Sequence, residues 1–142
     1  MNIGKALIFG DSYSTFKGFI PDGYAVYYSE EERPETDVTK VSETWWHQVI
    51  NEANLNLVLN NSWSGSTIGY TGYNNSDCSK SSSFIYRLKE LIENGFFTNN
   101  KIDKVFQETE MVLLQCRLVL HTHIHGVPEP FSSIRFWKNY LQ

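Results

Sequence analysis

The stretch Lys5-Ala6-Leu7-Ile8-Phe9-Gly10-Asp11-Ser12-Tyr13-Ser14-Thr15 decides how the chain is expected to fold. The uninterrupted apolar run from Ala6 to Phe9 is typical of a strand that is buried on both faces of a sheet. Gly10 permits a sharp turn at the end of that strand, so Ser12 would stand at its carboxyl end. Open α/β sheets place their ligand crevices at this end. A hydroxyl there can act as a nucleophile if a base removes its proton and nearby donors stabilise the oxyanion.

The next segment predicts a helix and a second strand. Apolar residues recur on one helical face from Glu43 to Ala53, and Ser42 is a reasonable N-cap for that helix. His47 falls outside the apolar face, so we expect it at the surface or rim of the domain rather than as a catalytic base. The run Leu55 to Leu59 predicts the second strand. A strand–helix–strand order implies that the two strands pair in parallel.

A second helix and a third strand follow. Apolar residues from Phe84 to Ile92 again mark one helical face, with Ser82 or Ser83 at its start and Gly95 just past its end. Ile102 to Phe106 predicts the third strand. The predicted fold class is therefore α/β, a doubly wound parallel sheet in a three-layer sandwich of flavodoxin-like type, incomplete towards the C-terminus.

Two blocks of this sequence resemble the SGNH (GDSL-type) hydrolases. Gly10-Asp11-Ser12-Tyr13-Ser14 is similar to the first signature block, and Asn60-Asn61-Ser62-Trp63-Ser64-Gly65-Ser66-Thr67 to the second. The resemblance covers residues 3–106 and includes the intervening GFIPDGYAVYY, TDV and ETWW segments. It implies a serine esterase with Ser12 as nucleophile and the N–H groups of Ser12 and Gly65 as oxyanion hole. The implied substrate is a small acyl ester, such as an acetylated carbohydrate or a short-chain acyl group, with no cofactor and no metal.

After the third strand the chain departs from the family pattern. The third family block, a Gly followed by an Asn, has no counterpart, because Phe106 is followed by Gln107-Glu108-Thr109-Glu110. The fourth block, Asp-x-x-His, would supply the base and its orienting carboxylate, but Asp103 is the last Asp of the chain. Residues 107–142 therefore form an atypical tail. Truncation, divergence or a slip of the reading frame near codon 106 could explain it, and the abrupt end of the match favours truncation or a slip.

The tail predicts a strand with one polar face. Leu114 to His125 alternate in polarity, and His121, His123 and His125 would project to the same side. Two of these imidazoles could chelate zinc, or one could serve as base for Ser12. No acidic residue lies close by to support a metal site, so a polar strand face is favoured. The sequence assigns the base to no particular histidine.

The connection over residues 16–42 is long enough to suggest a lid or a binding loop. Aromatic residues crowd its beginning, and they could wall a pocket beside the nucleophile or pack the loop onto the domain. We favour packing. The residues concerned are Tyr13, Phe16, Phe19, Tyr24, Tyr27 and Tyr28.

The composition predicts one globular domain over residues 1–142. Hydrophobic residues make up 41%, and a net charge of -4 without a Lys or Arg cluster argues against a nucleic-acid partner. No apolar run reaches the roughly 20 residues that span a bilayer, and the first residues do not resemble a signal peptide. Cys78 and Cys116 are too few for a disulfide framework or a zinc site. We therefore expect a cytoplasmic protein with a small-molecule substrate and no membrane partner.

Two alternatives to the esterase hypothesis stay open. Ser12, Ser14 and Thr15 could cradle a phosphate, as in flavodoxin-like FMN sites, although Asp11 would repel it and the loop lacks a second Gly. Alternatively, the chain is an inactive homologue, truncated or frame-slipped, whose short sheet leaves an apolar edge uncovered.

Overall fold

The computed structural model describes residues 3–108. Three strands form one sheet: β1 is Lys5–Phe9, β2 is Asn56–Asn60 and β3 is Lys104–Gln107. Their order across the sheet is β2-β1-β3, and both pairs are parallel. The three predicted strands and their parallel pairing are thus confirmed, and their carboxyl ends meet at one edge of the sheet. The strand predicted in the tail lies outside the described residues.

Helices cover both faces of the sheet. Helix α1 (Trp45–Glu52) packs on one face, and helices α2 (Phe84–Glu93) and α3 (Phe96–Asn99) pack on the other. Successive side chains of a strand point to opposite faces, so β1 contributes to both cores. Its side chains towards α1 are Ala6 and Ile8, and those towards α2 and α3 are Leu7 and Phe9. The central strand is therefore buried on both sides, and the predicted three-layer α/β sandwich is confirmed.

The start of α1 differs from the sequence prediction. The chain first makes a 3₁₀ turn over Val41–Glu43, so the N-cap position falls on Thr44 and not on Ser42. The Glu43 carboxylate accepts two backbone N–H groups at the start of this turn, both at 2.9 Å. The Thr44 hydroxyl donates to the carbonyl oxygen of Val41 at 2.7 Å. The Ser42 prediction was wrong because these local bonds stabilise a separate turn ahead of the helix.

Helix α2 begins and ends where its sequence signals predicted. Ser83 is the N-cap, and its hydroxyl oxygen accepts the backbone N–H of Tyr86 at 3.1 Å. Gly95 lies just past the last turn with a φ of 69°, in the left-handed region that glycine adopts without strain. Local signals at both ends therefore set the length of α2.

The aromatic connection between β1 and α1 packs only in part. Phe16 and Tyr28 are buried in the core on the α1 side, together with Trp46. Tyr13 and Phe19 are 39% and 46% exposed. The expected packing of the loop is therefore observed in full for the first two rings. The other two are partly exposed, but Phe19 contacts the rings of Phe16 and Trp46, and Tyr13 contacts those of Tyr27 and Tyr28.

Candidate active site

The turn after β1 presents Ser12 at the carboxyl edge of the sheet. Ser12 to Ser14 form one 3₁₀ turn, capped by the Asp11 carboxylate, which accepts the backbone N–H of Tyr13 at 3.2 Å. A Cβ on Gly10 would overlap the Ser14 side chain, so only glycine allows the chain to turn this closely. The Ser12 side chain remains partly exposed at the rim of this turn.

The turn after β2 brings Gly65 to Ser12. The N–H of Gly65 donates to Ser12 Oγ across 3.3 Å, and the Ser64 hydroxyl lies 3.0 Å from the same oxygen. Gly65 has a φ of 82°, which a residue with a Cβ adopts only under strain. The structure thus brings together the two residues that the sequence places in separate blocks. Their meeting follows from parallel pairing, since both turns leave the same edge of the sheet.

Ser14, two residues further on, faces the interior. Its hydroxyl donates to Glu108 Oε2 at 2.7 Å and accepts the indole N–H of Trp45 at 3.0 Å. Its carbonyl oxygen accepts the side-chain amide of Asn60 at 2.8 Å. The residue is fully buried. Ser14 therefore ties the turn to α1, to the end of β2 and to the segment after β3.

A buried phenol lies on this interior side. The pKa of Tyr28 is raised to about 12, chiefly by burial and to a lesser extent by the neighbouring Tyr13, Tyr27 and Glu108. Each of these causes disfavours the phenolate. Tyr28 is therefore uncharged at neutral pH and is unsuited to act as a base for Ser12.

No histidine within residues 3–108 is hydrogen-bonded to the Ser12 hydroxyl. His47 lies on α1, is partly exposed and places Nδ1 3.0 Å from the side-chain nitrogen of Asn51. That position agrees with the expected rim residue. The three other histidines of the chain, His121, His123 and His125, lie outside the described residues.

Arg87 is a buried residue of the site that the sequence analysis missed. It lies on α2, is 1% exposed and donates to five oxygen atoms from both turns and from the start of α2. These are the carbonyl oxygens of Gly10, Asn61 and Ser82, the side-chain oxygen of Asn61 and the hydroxyl of Ser66. Burial lowers the pKa of Arg87 to about 10, so the guanidinium stays charged at neutral pH.

A sequence signal for Arg87 was present. It comes three residues after Phe84 and directly before Leu88, two of the residues that mark the apolar face of α2. A charged residue at such a position is rarely fully buried unless it has fixed polar partners. The sequence alone does not identify those partners, because most of them come from two turns that lie between 21 and 77 positions away along the chain.

The described part of the chain holds no group of three or more His, Cys, Asp or Glu side chains that could bind a metal ion. None of the helices in residues 3–108 has the length and apolar character that a bilayer crossing requires. Cys78 is a buried free thiol, and Cys116 lies outside the described residues.

The chain is a parallel α/β sandwich in which a serine hydroxyl and a glycine amide meet at one edge of the sheet. These features place it among the α/β domains whose ligand crevice lies at that edge and contains a serine. The family model of GDSL-like lipases and acylhydrolases matches residues 4–109, which is well over half of the chain. The protein belongs to this family. The resemblance carried by the two sequence blocks is thereby confirmed.

Two crystal structures of proteins described as GDSL-like lipases share the fold. The protein from Bacteroides ovatus ATCC 8483 is 42% identical with a TM-score of 0.64, over 75% of this chain and 48% of that one. The protein from Bacteroides uniformis ATCC 8492 is 40% identical with a TM-score of 0.63, over 75% of this chain and 47% of that one. The match thus spans about half the length of these relatives. No curated protein matches the chain.

Proposed function

We propose that this chain is a serine hydrolase of acyl esters. The Ser12 hydroxyl attacks the ester carbonyl, and the backbone N–H groups of Ser12 and Gly65 bind the oxyanion that forms. The observation that carries the proposal is the 3.3 Å between the Gly65 nitrogen and Ser12 Oγ. It supports the assignment because the donor already stands beside the oxygen that would attack, where the substrate carbonyl must lie.

The surface around Ser12 supports a small substrate with an apolar or ring-shaped part. Tyr13 is 39% exposed beside the nucleophile, and Tyr73 is 75% exposed. The Tyr73 N–H donates to the Gly65 carbonyl oxygen at 3.3 Å, so this ring belongs to the same rim. Exposed tyrosines offer flat apolar faces with a polar tip, which suits acetylated sugars or short-chain acyl esters.

The proton acceptor is proposed to be one of the tail histidines, His121, His123 or His125, without a choice among them, because His47 lies on α1 beside Asn51. Because the chain lacks the family's Asp-x-x-His, we expect slow turnover. Loss of a triad member leaves only about 10³–10⁴ over the uncatalysed rate, which comes from the oxyanion hole and binding.

One observation favours a second candidate, an inactive homologue that is truncated or frame-slipped. After Phe106 the chain continues with Gln107 and Glu108 in place of the expected Gly and Asn. A phosphate- or FMN-binding turn receives no such support. The Asp11 carboxylate lies within the turn, where it would repel a phosphate.

A fluorophosphonate probe on the full 142-residue chain tests the proposal. We expect the folded protein to be labelled on the peptide that contains Ser12, while urea-unfolded protein and the Ser12→Ala variant stay unlabelled. Ser14→Ala is the matched control, because it removes a hydroxyl two positions away that faces the interior. A folded protein that stays unlabelled, or equal labelling of Ser12→Ala, would remove the activated nucleophile and favour the inactive homologue.

The coding DNA tests the frame-slip explanation separately. A Gly-x-Asn and a later Asp-x-x-His in another frame downstream of codon 106 would support it. Their absence would eliminate it.

A further inference from the structure

The carbonyl oxygen of Gly10 is a shared hydrogen-bond acceptor that links the two turns of the site. It accepts three donors: the backbone N–H of Trp63 at 3.1 Å, the Ser66 hydroxyl at 3.3 Å and Arg87 Nη2 at 3.3 Å. Gly10 stands two residues before Ser12. Trp63 and Ser66 lie on either side of Gly65 in the sequence, so this one oxygen connects the turn of the nucleophile with the turn of the amide.

Arg87 on α2 adds further hydrogen bonds to both turns. Besides Gly10, its guanidinium donates to the Ser66 hydroxyl at 2.9 Å and to the carbonyl oxygen of Asn61. Its Nε donates to the carbonyl oxygen of Ser82 at 2.8 Å, just before α2 begins. One side chain therefore bonds to the turn after β1, the turn after β2 and the start of α2.

The cost of burying this cation argues that its geometry has a use. Removing a guanidinium from water is expensive, and an apolar residue of similar size on the face of α2 would often stabilise the fold as well or better. The hydrogen bonds of Arg87 within residues 3–108 go to carbonyl and hydroxyl oxygens, while the nearby Tyr24 and Asp11 favour its charge electrostatically. What the guanidinium adds is a planar fork of five donors that fixes several acceptors at once.

We propose that Arg87 is a positioning residue, which sets the distance between the Ser12 hydroxyl and the Gly65 amide by holding the turns that carry them. Its effect on reactivity rests on the proposed hydrolase function. Its effect on the two turns does not. A shift of about 1 Å in a reacting group can lower a rate about 10²-fold. Loss of the Arg87 guanidinium should therefore slow labelling of Ser12, although Arg87 itself does not contact the probe.

The first experiment compares rates of fluorophosphonate labelling at Ser12. Arg87→Lys keeps the charge on a single nitrogen that cannot reach all of the acceptors, and Arg87→Met keeps only an apolar stem. We expect both variants to label between about 10-fold and about 10²-fold more slowly than wild type. Leu88→Ala is the matched control, because it weakens the packing of the same helix without touching either turn. It should lower the melting temperature and leave the labelling rate unchanged.

The second readout needs no reactivity. Hydrogen exchange of the Trp63 amide measures how stable its hydrogen bond to the Gly10 carbonyl oxygen is. This rate is compared with the rates of α1 amides in the same sample. We expect faster exchange of this amide, relative to α1, in both Arg87 variants and not in Leu88→Ala. If wild type fails to label but the Trp63 amide still responds, the hydrolase proposal fails and the positioning role stands.

Two results would overturn the inference: wild-type labelling rates in a folded Arg87 variant, or an unchanged Trp63 amide. If neither Arg87 variant folds, Ser66→Ala decides. It removes one partner of Arg87 and one donor to Gly10, so it should slow labelling and speed Trp63 exchange in the same direction. No change in either quantity for a folded Ser66→Ala protein would also overturn the proposal.

Discussion

The two sides of the turn after β1 are built differently, although they are two residues apart. On the crevice side, Ser12 is partly exposed, and within residues 3–108 its hydroxyl hydrogen-bonds to groups of the turn after β2, the Gly65 amide and the Ser64 hydroxyl. On the interior side, Ser14 is fully buried and is bonded to Glu108, Trp45 and Asn60.

The difference indicates that Ser14 has a structural role and that Ser12 is available for reaction. Every group around Ser14 comes from the scaffold, so that serine fixes the turn, whereas Ser12 is left with a contact that a substrate could replace. Functional groups are commonly carried on loops that a rigid scaffold positions. We therefore expect changes on the interior side to reduce stability and changes on the crevice side to reduce labelling.

The largest loss of stability is expected for Gly10→Ala, which breaks both sides at once. The new Cβ would overlap the Ser14 side chain and lie 3.1 Å from the carbonyl oxygen of Glu108. Overpacking of this kind costs about 3 kcal/mol, and the displaced turn should also stop labelling at Ser12. Urea unfolding measures the loss. Gly69→Ala is the control, because a Cβ there meets nothing within 4 Å, and an equal loss in both variants would contradict the role of close packing.

Ser14→Ala should affect the interior side alone. It removes the donor to Glu108 and the acceptor of the Trp45 indole, which should cost about 1–2 kcal/mol of unfolding free energy. The folded variant should still label at Ser12. Ser12→Ala should have the opposite effects, because it should abolish labelling and leave the urea midpoint nearly unchanged. The comparison fails if Ser14→Ala abolishes labelling in protein that is still folded.

Gly65→Ala should affect mainly the crevice side. A Cβ at a φ of 82° costs about 1 kcal/mol, and relief of that strain would rotate the amide away from Ser12. Loss of one oxyanion donor lowers a rate about 10²-fold, which labelling kinetics can measure. Gly95→Ala carries the same kind of strain, with a φ of 69° at the end of α2. It should cost similar stability and leave labelling intact, and equal effects of both on labelling would contradict the donor role.

The smallest effect is expected for Tyr28→Phe and only at alkaline pH. The pKa of Tyr28 is raised from 10.0 to about 12 in the folded chain, chiefly by burial. Its contribution to stability is therefore present below pH 10 and is lost as the pH rises towards 12. Urea midpoints should fall over this window in wild type and less so in Tyr28→Phe. Parallel curves for the two proteins would exclude Tyr28 as the cause.

Much of the fold was predictable from local patterns. The apolar run of β1 and the helical faces of α1 and α2 identified their elements, because burial on a strand or a helix leaves a period in the sequence. The end signals of α2 were also read correctly, since Ser82 or Ser83 was predicted at its start, where Ser83 is the N-cap, and Gly95 follows its end. Ser42 was not, because the bonds of Glu43 stabilise a turn that has no strong compositional signal.

The sequence by itself determined the parallel α/β order of strands and helices, the family of the protein and the pairing of Ser12 with Gly65 at one sheet edge. Those follow from periodicity, from two short motifs and from the rule that parallel strands end together. Only the tertiary structure decided that Ser14 faces inward and that Arg87 is buried behind both turns. The physical reason is separation along the chain: Ser14 meets Glu108 across 94 positions, and Arg87 meets Gly10 across 77. Hydrogen bonds over such distances depend on how the layers pack, so no local pattern in the sequence identifies the partners.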